Sequence, residues 1–263
     1  MRPDTPPPPP DHLLTYVLRQ GDRALILAQR LLEAITHAPE IEEDMALSNL
    51  ALDLIGQARA LYTYAGEVQG PVDGVVHDED HYAYTRDPHE FLNPLLVEQP
   101  NGDFAQLIVR QFLHDAWAFF YWRSMEHSTD ETLRALAGKA VKETTYHLRH
   151  SRSWVVRLGD GTEESHQRAQ AALDGLWRYT GELFDSDEVE EALVTAGVIH
   201  PPAETLSEPW RGTVANALEE ATLTVPDDGV MHRGGRTGTH TEAFSYLIGE
   251  LQVVARAHPG ASW

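Results

Sequence analysis

The sequence contains no cysteine, which excludes disulfides, thiolate metal sites and cysteine nucleophiles together. Any metal would have to be held by histidines and carboxylates, ligands that suit hard or borderline ions. Lysine is nearly absent too, with Lys139 and Lys142 the only two. No apolar run approaches the roughly 18 residues that a membrane span needs. The opening MRPDTPPPPPD lacks the apolar stretch of a signal peptide and reads as a disordered, proline-rich leader over residues 1–10. Nor is there a P-loop, a dinucleotide fingerprint or a G-x-S-x-G elbow, so nucleotide hydrolysis, hydride transfer and serine-hydrolase chemistry are unsupported. Basic charge is also short: 20 Lys and Arg stand against 41 Asp and Glu, a net charge of −21. So acidic a surface repels nucleic acid and anionic membrane, and a soluble cytoplasmic protein with neither partner is expected.

What the chain does have is length and helical periodicity. Its 263 residues, 42% of them apolar, are enough for a sizeable core. Apolar positions recur at three- and four-residue spacing, and strand-like alternation is nearly missing. The predicted fold class is all-α: a ferritin-like four-helix bundle with additional C-terminal helices, forming one domain over residues 11–263. The core helices are predicted at about 12–36, 41–68, 103–127 and 131–158. Each is roughly 37 Å long. The connection between the second and third is long and the other two are short, which is the ferritin-like arrangement. Shorter helices are expected over 163–181, 186–197, 203–222 and 240–257.

In such bundles a di-iron centre takes a Glu from each of two helices and Glu-x-x-His from each of the other two. The acids interrupting the apolar stripes are therefore the candidates. Asp22 lies on the first helix between Leu18 and Leu25, in line with Gln29, Leu32 and Ile35. The second carries Asn49, Asp53 and Gly56 at spacings of four and three. On the third, Asp115 is in line with Phe104, Ile108, Gln111, Phe112, Phe119 and Trp122. The fourth, in KETTYHLRHS, has Glu143, Tyr146 and His147. One inward acid per helix is thus available.

The details count against iron. Three positions after Asp53 stands Gly56, which has no side chain to coordinate, and three after Glu143 stands Tyr146. Three of the four acids are Asp, a methylene shorter than the usual Glu. The expectation is no metal, and a polar network in which His147, Tyr146, Gln111, Asn49 or a nearby Arg holds the acids. A lysine beside Glu143 would replace metal charge if it pointed inward. MHRGGRTGTHTE places Arg233 and Arg236 among glycines, a candidate contact for an anion. His77, His81 and His89 lie in loop-like sequence without ligand spacing.

ALSNLALDLIGQARALYTYAGE, NPLLVEQPNGDFAQLIVRQF, DAW, KAVKETTYHLRHSRSWVVRLGDGTEES, LWRYTGELFD, EATLTVPDDG and GGRTGTHTE together resemble the C-type subunit family of phenylacetyl-CoA epoxidases. These are the multicomponent ring-oxygenating monooxygenases of aerobic phenylacetate catabolism, and the likeness runs from about Thr15 to Trp263. It implies a ferritin-like structural subunit, not itself catalytic, that pairs with a homologous catalytic subunit of the A type. In that family the A-type subunit holds the di-iron site and the substrate. A reductase with flavin and iron–sulfur groups delivers electrons from NADPH, and a small B-type subunit links the assembly. Asp22, Asp53, Gly56, Asp115, Glu143, Tyr146 and His147 would then be positions of a lapsed di-iron site. The partner surface is expected on the outer faces of the first two helices, with a homodimer open to the isolated chain. Two alternatives remain: a self-sufficient di-iron monooxygenase, and a self-associating helical protein without an oxygenase partner.

Overall fold

A computed structural model describes residues 10–261 of the chain. The leader over 1–10 lies, apart from Pro10, outside the described residues. In chain order the α-helices are α1 Pro10–Glu33, α2 Ile41–Gln69, α3 Glu79–Tyr84, α4 Leu95–Glu98, α5 Phe104–Met125, α6 Glu131–Gly159, α7 Glu163–Trp177, α8 Glu188–Thr195, α9 Ser207–Glu220 and α10 Glu242–Ala257. Short 3₁₀ turns fill several of the gaps, and the nearest thing to a strand among the described residues is an isolated bridge, Val72 to Val75. The fold class is all-α and ferritin-like, with additional helices after α6. Helix α1 stops three residues short of the predicted Thr36 because Thr36 adopts a left-handed φ of 74°. Asp44 then accepts from the Thr36 and Ala38 amides at 3.0 and 3.2 Å, pinning the turn into α2.

Contacts cluster into two compact units where the sequence suggested one domain: Asn101–His232, and Leu13–Pro100 with the segment from Arg233 onward. In the Asn101–His232 unit, α5 begins at an Asp103 cap whose carboxylate accepts from the Gln106 amide at 3.0 Å. Asp130 caps α6 in the same way, accepting from the Leu133 amide. Buried residues occur on every side of α5, so it is a central helix. Around it pack α6, α7 and α9. The α6 face is a single stripe of Leu133, Ala137, Ala140, Thr144, His147, Ser151 and Val155, at spacings of three and four. Its small residues let the two backbones approach. Trp210 on α9 fixes the outer layer by donating to the Leu113 carbonyl at 3.0 Å, and the Trp177 ring packs against it at a tilt.

In the Leu13–Pro100 unit with its C-terminal segment, α1 is buried or half-buried along nearly its whole length. No residue between 12 and 35 is exposed. Gly21 permits the close crossing with α2, because a Cβ there would come within 2.6 Å of the Tyr62 ring. The inner face of α2 runs through Leu47, Leu50, Leu54, Ala58, Leu61 and Ala65. Its outer face leaves Ile41, Met45 and Leu52 exposed. Of the two faces expected to be open, that of α1 has no exposed side chain between residues 12 and 35, while that of α2 presents apolar side chains outward. Gln252 on α10 donates to the Ala83 and Arg86 carbonyls, tying the last helix to the end of α3.

Candidate functional site

In the Asn101–His232 unit, Asp115 is fully buried on α5. Its Oδ1 accepts from the Gln111 amide nitrogen at 2.7 Å and from His114 Nδ1 at 3.2 Å. Its Oδ2 accepts from the Ser151 hydroxyl of α6 at 2.9 Å. Gln111, four residues earlier, is on the same helical face, which is why the sequence marks it as a partner. Ser151 was not singled out. Its signal is present, because it continues the α6 stripe four residues after His147.

The KETTYHLRHS strip turns differently from a ligand pair. His147 is fully buried on the inner stripe, with its carbonyl accepting from Ser151 at 3.0 Å. Tyr146 is 44% exposed and stacks on His150. A residue one step along a helix is rotated about 100°, so Tyr146 and His147 cannot both face inward. The expectation that Tyr146 helps hold the buried acids is thus corrected. Glu143 sits at the edge of the stripe, 3.2 Å from Lys139 Nζ. That lysine is 67% exposed, a surface pairing and no inward substitute for metal charge.

In the other unit, Asp22 is fully buried and held by positive charge. Arg86 grips both oxygens, with Nη1 3.2 Å from Oδ2 and Nη2 on Oδ1. Tyr62 donates to Oδ1 at 2.6 Å and the Leu92 amide to Oδ2 at 2.7 Å. Arg86 also donates to the Tyr82 and Glu90 carbonyls and lies 4.2 Å over the Phe91 ring. Burial opposes the charged guanidinium, but Asp22 and Tyr62 raise its pKa overall. Burial, then the Asp22 charge, push the Tyr62 hydroxyl well above its ordinary range, so it remains a donor. Asp53 and Gly56 lie half-buried on α2, and Asn49 is exposed, which removes it from the expected network.

These residues do not fit a di-iron centre. Donors already occupy both oxygens of Asp22 and of Asp115, Gly56 offers no ligand atom and Tyr146 faces outward. Among the described residues no three His, Asp or Glu side chains come together in a group able to hold a metal ion.

The glycine-rich segment before α10 packs closely against the stretch around His89 and Asn93. Arg233 is exposed and Arg236 half-buried in a three-residue 3₁₀ turn, Gly235–Thr237. Gly238 takes φ 81° beside the His89 carbonyl, a position with neither the room nor the backbone freedom for a side chain. The chemistry there belongs to residues that were not singled out. Glu98 is fully buried at the end of α4. Its Oε1 accepts from the Thr241 amide at 2.7 Å, and its Oε2 from Asn93 at 2.9 Å and His240 Nδ1 at 2.7 Å. An acid inside the apolar run NPLLVEQP was the available signal.

In this all-α, ferritin-like fold one acid is buried on α1 and another on α5, and hydrogen-bond donors occupy the oxygens of both. The chain belongs to the phenylacetic acid catabolic protein family, whose model matches residues 2–263. It is 47% identical over 253 residues to the C subunit of 1,2-phenylacetyl-CoA epoxidase from Escherichia coli (strain K12), an alignment covering 96% of this chain and 100% of that one.

Proposed function

We propose that this chain is the non-catalytic structural subunit of a multicomponent 1,2-phenylacetyl-CoA epoxidase in aerobic phenylacetate catabolism. It pairs with a homologous di-iron subunit, the A type, which it positions. The oxygen chemistry belongs to that partner, which holds substrate and iron. Electrons come from NADPH through a flavin and iron–sulfur reductase, and a small B-type subunit joins the cytoplasmic assembly. The likeness along the whole chain to the C subunit of such an enzyme supports the assignment.

One observation carries the non-catalytic part: Asp22 and Asp115 spend their oxygens on Arg86, Tyr62, Gln111, His114 and Ser151. Carboxylates so engaged brace helices. They stiffen a scaffold, because Ser151 ties α6 to α5, and Tyr62 and Arg86 tie their segments to α1. For the partner surface, the outer face of α2 offers Ile41, Met45 and Leu52, 72, 62 and 62% exposed. Their spacings of four and seven put them on one stripe, the form an incoming helix recognises. An obligate pairing of this kind buries on the order of 2,000 Å² or more.

The test is co-expression with the A-type subunit, followed by affinity capture and metal analysis of each chain alone. The expected result is a stable complex in which iron travels with the A-type partner. Close to two irons on this chain alone, with an absorbance change on meeting O2, would replace the proposal with an active oxygenase. A tight homodimer that ignores the A-type partner would replace it with a self-associating protein.

A further inference from the structure

His240, in the loop before α10, has both ring nitrogens engaged by groups that accept. Nδ1 is 2.7 Å from Glu98 Oε2, and Nε2 is 2.8 Å from the Phe91 carbonyl oxygen. A carbonyl has no proton to give, so Nε2 must carry one. A carboxylate at 2.7 Å, already accepting from Asn93 and the Thr241 amide, asks the same of Nδ1. The ring is therefore drawn as an imidazolium, stacked 3.9 Å from Phe244 on α10. We propose that His240 is a proton-operated latch: protonated, it fastens the C-terminal segment to the Phe91–Glu98 stretch, and loss of one ring proton to solvent loosens that segment.

The surroundings make one proton decisive. Glu98 reaches the α10 N-terminus through the Thr241 amide, and its carbonyl accepts from Arg30 of α1 at 2.7 and 3.0 Å. Arg30 continues to the Ala243 carbonyl at 3.2 Å and pairs with Glu33. The charged groups around His240 are thus Glu98 from α4, Asp22 and Arg30 from α1, and Arg86, whose guanidinium covers the far side of Phe91. Arg233 and Arg236 lie on its own loop. A neutral imidazole donates once, so one of the two acceptors would face a lone pair less than 3 Å away. Both acceptors are fixed, since Glu98 is fully buried and Phe91 is clamped beneath Arg86. The loop packs closely there: a Cβ at Gly235 would meet the Asn93 carbonyl and one at Gly238 the His89 carbonyl.

Burial works against the charged ring, but Glu98, the Phe91 carbonyl and Asp22 outweigh it and raise the His240 pKa above 6.5. A folded-state pKa raised above the unfolded one gives stability that is complete below about 6.5 and lost as pH climbs through the raised value. The latch is closed below the raised pKa and opens as pH climbs through it.

Two measurements on the full chain test this. Imidazole ¹⁵N spectra should show both His240 nitrogens protonated at neutral pH, with those signals disappearing in the His240→Gln variant. Amide exchange of residues 242–257, corrected for the intrinsic rate, should show an opening constant rising about tenfold per pH unit above pH ~6.5 until the raised pKa is passed. In His240→Gln the same amides should be less protected at pH ~6 and lose the slope. A neutral tautomer at about pH 7 would overturn the proposal. So would a wild-type opening constant indifferent to pH between about 6 and 9. If the Gln variant fails to fold, the ¹⁵N and exchange profiles of the wild-type chain still decide.

Discussion

The two compact units bury carboxylates by different means. Between Asn101 and His232, Asp115 is satisfied by an amide, a hydroxyl and an imidazole, all from α5 and α6. In the other unit, Asp22 and Glu98 face Arg86 and His240, with the backbone amides of Leu92 and Thr241. The first arrangement ties two adjacent helices. The second ties distant segments of sequence: Asp22 to Arg86 spans 64 residues and Glu98 to His240 spans 142. Surface chemistry divides the same way. Of twelve exposed large hydrophobic side chains among the described residues, nine belong to the unit containing α2 and α10, and three to Asn101–His232. One unit exposes few large apolar side chains, and the other pairs charge in its interior and exposes most of them.

That contrast is sharpest in what each buried acid loses with its partner. Arg86→Leu leaves Asp22 buried and charged without its guanidinium, and should destabilise the chain by about 3–5 kcal/mol. Denaturant unfolding checks it, and a loss below about 1 kcal/mol would mean that Tyr62 and the Leu92 amide suffice. Ser151→Ala removes one neutral donor from Asp115, for which about 1–3 kcal/mol is expected. Adding Asp115→Asn to it should recover part of that loss, since the site then has no charge to satisfy. Asp22→Asn should do no such service beside intact Arg86, because it strands the guanidinium.

Much of this was legible in the sequence, by one rule. Asp22 and Asp115 announce themselves because each interrupts an apolar stripe, and Gln111 follows because a partner four residues away shares the helix face. The caps at Asp103 and Asp130 are equally local. Arg86, Glu98 and His240 were missed because their pairings join segments far apart in sequence, where no period connects them. Tyr146 was misread for a subtler reason. Its distance of three from Glu143 fits the ligand motif, yet the inner stripe of α6 passes through Thr144, His147 and Ser151 and leaves Tyr146 outside. Spacing fixes which residues share a face, and only packing decides which face is buried.

Tyr146→His is therefore a substitution that the motif and the structure judge differently. As a repaired ligand it should bring iron; as a side chain 44% exposed it should do nothing. The expected result is unchanged metal content after growth in ample iron, and stability within about 0.5 kcal/mol of the parent.

The smallest expected effect on the fold belongs to the largest expected effect on assembly. Met45→Glu with Leu52→Glu places two charges on the outer stripe of α2, where both side chains already meet solvent. Helix propensity hardly changes, since Met, Leu and Glu rank together. Unfolding free energy should stay within about 0.5 kcal/mol, while capture by the A-type partner should be abolished by burying unpaired carboxylates in the interface. The control belongs to the Asn101–His232 unit: Val230→Glu, at a residue 87% exposed, should leave both stability and capture alone. If Val230→Glu blocks capture and the α2 pair does not, the docking face lies on the Asn101–His232 unit.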